Sequence, residues 1–401
     1  VSGPRLETGG QQWDALSFAD EVSRRQQQLE QQGLCAGQIF MFSAPASPAT
    51  VWTFHAVWAI GAVAMPTPDT MTTAQQVSFE RAKAEPVGPD TALRLLTSGT
   101  TGTPKVVDLS TTQLNASAEA SRERLGCDAT DRWLCCLPLH HIAGISILKR
   151  TAASQATTVL HTGFDPAAVS RAIDTDRVSM FSAVPTMLQR ILDLREEVPF
   201  PDHLRVILLG GAPTPTALLD RCRSMQAPVA LTWGMTETAS QIATRMPGDL
   251  RADGDVGLPL PGTTVSIVDG HLAVEGPIAP GGRWVTSDRG EIDESGRVII
   301  HGRGDALIIS GGENVDPRRV ELALCAHPSV VEAAVVGVPD DLWGERPVAF
   351  VVGQETAGLH DWLKTQLAAH ECPVMIRWLD SLPLTALGKH DRGALRARLR
   401  D

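Results

Sequence analysis

The sequence predicts an α/β protein: a large N-terminal domain of helix-covered β-sheets plus a small β-rich region, then a small α+β C-terminal domain. Three observations carry that reading. From about residue 13 to 261, amphipathic segments alternate with short apolar or β-branched runs. After Gly257, glycine and proline become dense and the runs between them turn hairpin-like. Beyond Asp305 helical and strand-like segments resume over a length typical of an independent domain. The division falls at 1–304 and 305–401.

In the first region, apolar residues at helical spacing predict helices over 17–31, 49–58, 111–124, 186–194 and 214–224. Short apolar runs predict strands over 38–42, 93–96, 133–137, 157–160, 178–182, 206–209 and 229–232. Short buried strands separated by helices define parallel sheets covered on both faces. In the second region, 264–268 and 272–275 read as hairpin strands, and aspartate and glycine turns punctuate 288–304. In the third, Pro317 opens a helix over 317–326, because proline's missing N–H costs nothing in a first turn. Strands over 330–338 and 348–352 follow, then a helix near 359–369.

Bulk properties narrow the function. The chain has 401 residues, 43% hydrophobic and 20% charged, enough to bury a large core. Its net charge of −11 argues against nucleic acid or an anionic membrane as the main partner, while leaving room for a local phosphate site. Seven scattered cysteines without a C-x-x-C pair fit a reducing cytoplasm better than a disulfide framework or zinc site. No signal pattern opens the chain, and no apolar run reaches the ~18 residues of a membrane span. The expectation is a cytoplasmic enzyme with no integral membrane segment. A homo-oligomer stays open.

The strongest local signal is Thr97-Ser98-Gly99-Thr100-Thr101-Gly102-Thr103-Pro104-Lys105, directly after the strand over 93–96. Glycines let main-chain N–H groups approach an anion, the hydroxyls add donors, and Lys105 adds a positive charge. Such a loop suits a polyphosphate. It does not meet the G-x-x-x-x-G-K-[ST] pattern of the common phosphate loop. Further on, Trp233-Gly234-Met235-Thr236-Glu237-Thr238 offers an aromatic face for a base, a hydroxyl for phosphate and a carboxylate for Mg²⁺.

These stretches resemble the signatures of the adenylate-forming superfamily of acyl-CoA synthetases, adenylation domains and luciferases, and the resemblance covers nearly the whole chain. It implies that ATP binds Thr97 through Thr103 and Lys105. Trp233, where the family usually has tyrosine, stacks on adenine. Thr236 meets phosphate, and Glu237 holds Mg²⁺. Asp288, in a stretch similar to the family's Thr-Gly-Asp, accepts from both ribose hydroxyls. Arg303 contacts the nucleotide. Asp305 falls at the hinge about which a mobile C-terminal lid turns. Gly311 and Gly312 line the pantetheine path of CoA. Lys389, in Pro383-Leu384-Thr385-Ala386-Leu387-Gly388-Lys389, meets both the substrate carboxylate and the α-phosphate. The segment before the phosphate loop is shorter than is usual in the superfamily, so part of the N-terminal sheet layer is expected to be trimmed.

Three further stretches resemble the o-succinylbenzoate–CoA ligases of that superfamily: 137–146, 183–190 and 235–241. The resemblance implies 2-succinylbenzoate and CoA as substrates, in menaquinone or phylloquinone biosynthesis. His141, Gly210, Gly211 and Ser240 are then acyl-pocket residues. Arg150 is nominated for the carboxylate that is not activated, since a guanidinium binds a carboxylate through two parallel hydrogen bonds; a plain surface arginine is the alternative. Another aryl- or medium-chain acyl-CoA synthetase, or a catalytically silent nucleotide-binding module, are the competing readings.

Overall fold

The computed structural model describes residues 3–97, 105–249, 254–304, 307–385 and 389–399. Loop residues 98–104, including Ser98, Gly99, Thr100, Thr101, Gly102 and Thr103, and the hinge position Asp305 lie outside the described residues.

Two sheets build the large N-terminal part. In the nine-stranded sheet, Arg132–Cys135, Thr157–Leu160, Met180–Ala183, Val206–Leu209 and Val229–Met235 run parallel, with antiparallel pairs toward both edges. Parallel neighbours need long crossovers. The helices Ile142–Ser154, Pro166–Thr175, Pro185–Arg195 and Thr216–Ser224 supply them. Arg5–Thr8 extends this sheet beside Thr157–Leu160, a pairing its polar sequence did not suggest.

The second sheet pairs Ile39–Ser43, Val63–Thr67 and Thr91–Thr97 in parallel and closes with Lys105–Ser110 antiparallel. Thr91–Thr97 and Lys105–Ser110 are therefore the two strands of a hairpin, and the helix Thr111–Leu125 starts only afterwards. One apolar core spans both sheets, with Trp133, Phe54 and Phe181 fully enclosed.

The β-rich region is a four-stranded antiparallel sheet of Thr264–Val268, His271–Glu275, Arg283–Ile292 and Val298–Arg303. A five-stranded sheet organises the C-terminal part around the long pair Val330–Asp340 and Gly344–Gly353. Val320, Leu324, Val335, Ala349 and Leu363 form a core on one face. Ala334, Val336, Phe350 and Leu395 form another on the opposite face. A sheet apolar on both faces and covered on each needs no help from the rest of the chain to bury its surface.

All seven cysteines are free: Cys127, Cys135, Cys136, Cys222 and Cys372 are buried, Cys325 partly so, and Cys35 exposed. Burial pushes the thiols of Cys127, Cys135, Cys222 and Cys325 up to about 12. Among the described residues no helix is long and apolar enough to cross a membrane.

Candidate active site

The strand Val229–Met235 carries the aromatic of the Trp233–Thr238 stretch to the seam between the nine-stranded sheet and the β-rich sheet. A bulge at Trp233/Gly234 breaks its ladder with Ser240–Arg245. A Cβ on Gly234 would fall 1.7 Å from the Ser240 carbonyl oxygen, so only glycine fits there. Trp233 is buried, and its indole Nε1–H donates to Asp288 Oδ2 at 2.8 Å. Asp288 in turn sits opposite Arg303 across the antiparallel ladder. Three of the sequence-predicted nucleotide residues thus meet at one place.

The following turn is a single 3-10 turn, Thr236–Thr238, and the helix Thr111–Leu125 pins it. Gln113 Nε2 donates to the Glu237 carbonyl at 3.2 Å and the Ile278 carbonyl at 3.0 Å, while its Oε1 accepts from the Ser110 N–H. Ser117 donates to the Ala239 carbonyl at 2.8 Å, and Ser121 to Gln241 at 2.6 Å. Sequence reasoning missed these anchors. Ser110-Thr111-Thr112-Gln113 nonetheless reads as a capping box, and the box forms.

Glu237 pairs with Lys105, Nζ to Oε1 3.1 Å, and the same ammonium lies 5.1 Å from the centre of the Trp284 ring. A cation already rests on this carboxylate, which remains partly open to solvent. Among the described residues no group of three or more His, Cys, Asp or Glu gathers as a metal cage. Mg²⁺ held with a nucleotide needs only one or two carboxylates besides phosphate oxygens, so the donor set fits it. Thr97, at the end of the strand Thr91–Thr97, faces Lys105 across the hairpin.

His141, expected at the acyl group, opens the helix Ile142–Ser154. Burial, and then the charges of His140 and Lys389, push its imidazole down to about 3, so it is neutral at any working pH. Arg150 lies on the same helix and is only 2% exposed, which removes the surface-arginine alternative. Its Nη2 donates to Ser240 Oγ at 3.0 Å, and its guanidinium packs 5.4 Å from the Trp133 ring centre. Nε has no acceptor, and among the described residues no carboxylate pairs with this arginine. Burial lowers it to about 9, still charged at neutral pH. Leu114, Ser117, Lys149 and Ala239 surround a narrow space beside it. Ser240 holds φ of 104°, a strained value for a side-chain-bearing residue.

Gly210 and Gly211 differ from each other. A Cβ on Gly210 would press on Thr232 at 2.8 Å, so its smallness serves strand packing. A Cβ on Gly211 (φ +82°) would lie 3.3 Å from Lys389 Cε and 3.3 Å from Val184 Cγ1. Lys389 has come from the far end of the chain onto this glycine. Crowding by the surrounding protein, then the charge of Arg303, lowers its pKa below the usual lysine value, with Asp288 opposing. The Thr385 N–H donates to the Lys389 carbonyl at 2.7 Å.

Gly311 and Gly312 stand apart in their surroundings. A Cβ on Gly311 would strike the Trp343 ring at 2.3 Å, whereas the space at Gly312 is open. A cleft of about 490 Å³ runs past His140 and Arg190 on one side and Leu384 and Thr385 on the other.

The family model for AMP-binding enzymes matches residues 72–292, and that for the AMP-binding enzyme C-terminal domain matches 319–389. The chain belongs to the AMP-binding enzyme family. It is 38% identical over 324 residues to a 2-succinylbenzoate–CoA ligase of Listeria monocytogenes serotype 4b (strain F2365), a match covering 76% of this chain and 69% of that one. It is also similar to the o-succinylbenzoate CoA synthetase (MenE) from Bacillus subtilis in complex with the acyl-adenylate intermediate OSB-AMP. That similarity has a TM-score of 0.84 at 31% identity and covers 99% of this chain and 95% of the other. The same synthetase in complex with ATP and a magnesium ion gives a TM-score of 0.86 at 30% identity, covering 99% and 96%.

Proposed function

We infer that this chain is an AMP-forming acid–thiol ligase that activates 2-succinylbenzoate with ATP and hands the acyl group to CoA. The observation that supports this reading most directly is the convergence at Lys389. An ammonium from the C-terminal unit rests on Gly211 and shares an electrostatic neighbourhood with Asp288, Arg303 and His141. Two anions must meet in the first half-reaction, and a cation set between them offsets their repulsion in the transition state.

In this mechanism an oxygen of the succinyl carboxylate attacks the α-phosphorus of ATP and pyrophosphate leaves. Thr97, the loop 98–103, Lys105 and Thr236 hold the phosphates, and Asp288 and Arg303 hold the nucleoside. Glu237 is the residue that would hold Mg²⁺, which supplies charge neutralisation on the phosphate oxygens. Arg150 and Ser240 receive the benzoate carboxylate, the one that is not activated. His141, being neutral, walls the acyl pocket without adding charge. In the second half-reaction the CoA sulfur attacks the acyl carbon of the mixed anhydride, AMP leaves and the thiol loses its proton. No protein nucleophile is needed.

We place the domain division at 1–304 and 305–401, with Asp305 as the hinge. The separate cores of the C-terminal sheet support its turning as a unit. Turning would withdraw Lys389 and bring Gly311 and Gly312 to the pantetheine arm. Free thiols and dependence on ATP and CoA support a cytoplasmic location.

A panel assay tests the substrate. Pyrophosphate release with 2-succinylbenzoate should exceed that with benzoate or octanoate by at least about tenfold in kcat/KM, the worth of one charge-assisted pair. A clear preference for benzoate or octanoate would overturn the reading.

A further inference from the structure

Gln113, Ser117 and Ser121 stand four residues apart on the helix Thr111–Leu125, so one face of it presents all three side chains. They reach Glu237, Ala239 and Gln241, alternate residues of one short segment. The middle contact falls at a strained point. Ala239 holds φ of 54° and Ser240 φ of 104°, both in the region that favours glycine. Ser240 Oγ accepts from Arg150 Nη2 at 3.0 Å, so the torsion of Ser240 and the placing of that guanidinium are linked. The planar peptide between Ala239 and Ser240 contains the Ala239 carbonyl, and its tilt sets φ of Ser240. Ser117, only 2% exposed, donates its hydroxyl to that carbonyl at 2.8 Å. The turn bond from the Ala239 N–H to Thr236 and the ladder pairing of Ser240 with Met235 carry the path of the segment. On the far side the Ser240 carbonyl is pressed against Gly234.

We propose that Ser117 is a positioning residue for the acid: by holding the 239–240 peptide it turns Ser240 Oγ toward Arg150, the pair that receives the carboxylate which is not activated. The proposal rests on the ligase reading above. A strained torsion persists only where its surroundings over-determine it, and the Ser117 bond is one of those restraints. Without the hydroxyl, the restraints are one fewer at the peptide on which φ of Ser240 depends. The torsion then relaxes and Ser240 Oγ moves off Arg150. The effect belongs to the acid and not to the nucleotide, because Gln113 and not Ser117 tethers Glu237.

The test compares 2-succinylbenzoate with 3-benzoylpropionate, which keeps the ketone and the activated carboxylate but lacks the one on the ring. Pyrophosphate release is measured with both acids in the wild type and in Ser117→Ala. The wild type should favour 2-succinylbenzoate. In Ser117→Ala that preference should shrink on the order of tenfold, through KM for 2-succinylbenzoate, with kcat and the KM for Mg·ATP unmoved. In a Ser240→Ala background, Ser117→Ala should add little. An equal loss for both acids, or no change at all, would mean that the bond serves packing alone and would overturn the proposal. Should Ser117→Ala fold poorly, Ser117→Cys keeps a side chain of similar size with a much weaker donor, and the same outcomes decide. If the wild type shows no pyrophosphate release with 2-succinylbenzoate, the ligase reading has failed instead, and a crystal structure of Ser117→Ala still judges Ser117. Withdrawal of Ser240 Oγ from Arg150 supports its hold on that pair, and an unmoved Ser240 overturns it.

Discussion

Arg150 holds a charge in a buried place where, among the described residues, no carboxylate balances it. Proteins seldom tolerate that arrangement without a ligand, because an uncompensated buried charge is costly. Arg150→Met is therefore expected to leave the melting temperature unchanged or raise it, while the KM for 2-succinylbenzoate rises roughly 10- to 100-fold and that for ATP stays put. Thermal denaturation and steady-state kinetics on one variant check both halves. Lys389 makes a pH prediction. Its lowered pKa means that the ammonium is lost at a lower pH than an ordinary lysine would lose it. Adenylation kcat/KM should thus fall on the alkaline limb as pH rises through that value, and Lys389→Arg, which does not titrate there, should shift the limb upward. Lys389→Ala should cost about 10²–10³ in adenylation. The positions of both residues could be nominated from the chain. Their surroundings could not, since the Arg150–Ser240 bond and the approach of Lys389 to Gly211 join segments far apart in sequence.

At the level of elements, two long helices were readable: 17–31 and 111–124 appear as Ala15–Gln31 and Thr111–Leu125. Val63–Thr67 was not readable, because Pro66 stands inside the run and counts against a strand there. Pro166–Thr175 did carry its signal, an Asp165 cap followed by proline and one apolar face of Val169, Ala172 and Ile173, yet it is absent from the helices expected above. Gln113 shows how an element can brace a site. Its cap bond to Ser110 orients the side chain whose amide then serves two carbonyls of other segments. Gln113→Ala should destabilise the protein by about 1–3 kcal/mol in urea unfolding, since it strips buried carbonyls of a donor. It should also raise the KM for Mg·ATP, because the turn bearing Glu237 loses its tether.

For the whole molecule, composition marked three regions; two sheets build the first, and one sheet each builds the second and the third. The order of strands within the nine-stranded sheet was beyond local reading. Arg132–Cys135 lies between Thr157–Leu160 and Met180–Ala183, so Met180–Ala183 pairs with Arg132–Cys135 and not with the strand that precedes it in sequence. The meeting of Lys389 with Gly211 is likewise a property of the assembled units. Gly211→Ala adds a Cβ against Lys389 and Val184 at a left-handed position, which costs about 1–2 kcal/mol by itself. Adenylate formation should fall several-fold, while thioester formation from pre-made acyl-adenylate should fall much less. Equal losses in the two half-reactions would count against a lid that leaves between them.

The state of the thiols has a practical side. Five cysteines are enclosed, Cys325 is held protonated, and Cys35 alone stands at the surface. An aromatic disulfide reagent added to the folded enzyme should titrate about one equivalent quickly, so the disappearance of free coenzyme can be followed colorimetrically against a small, constant background.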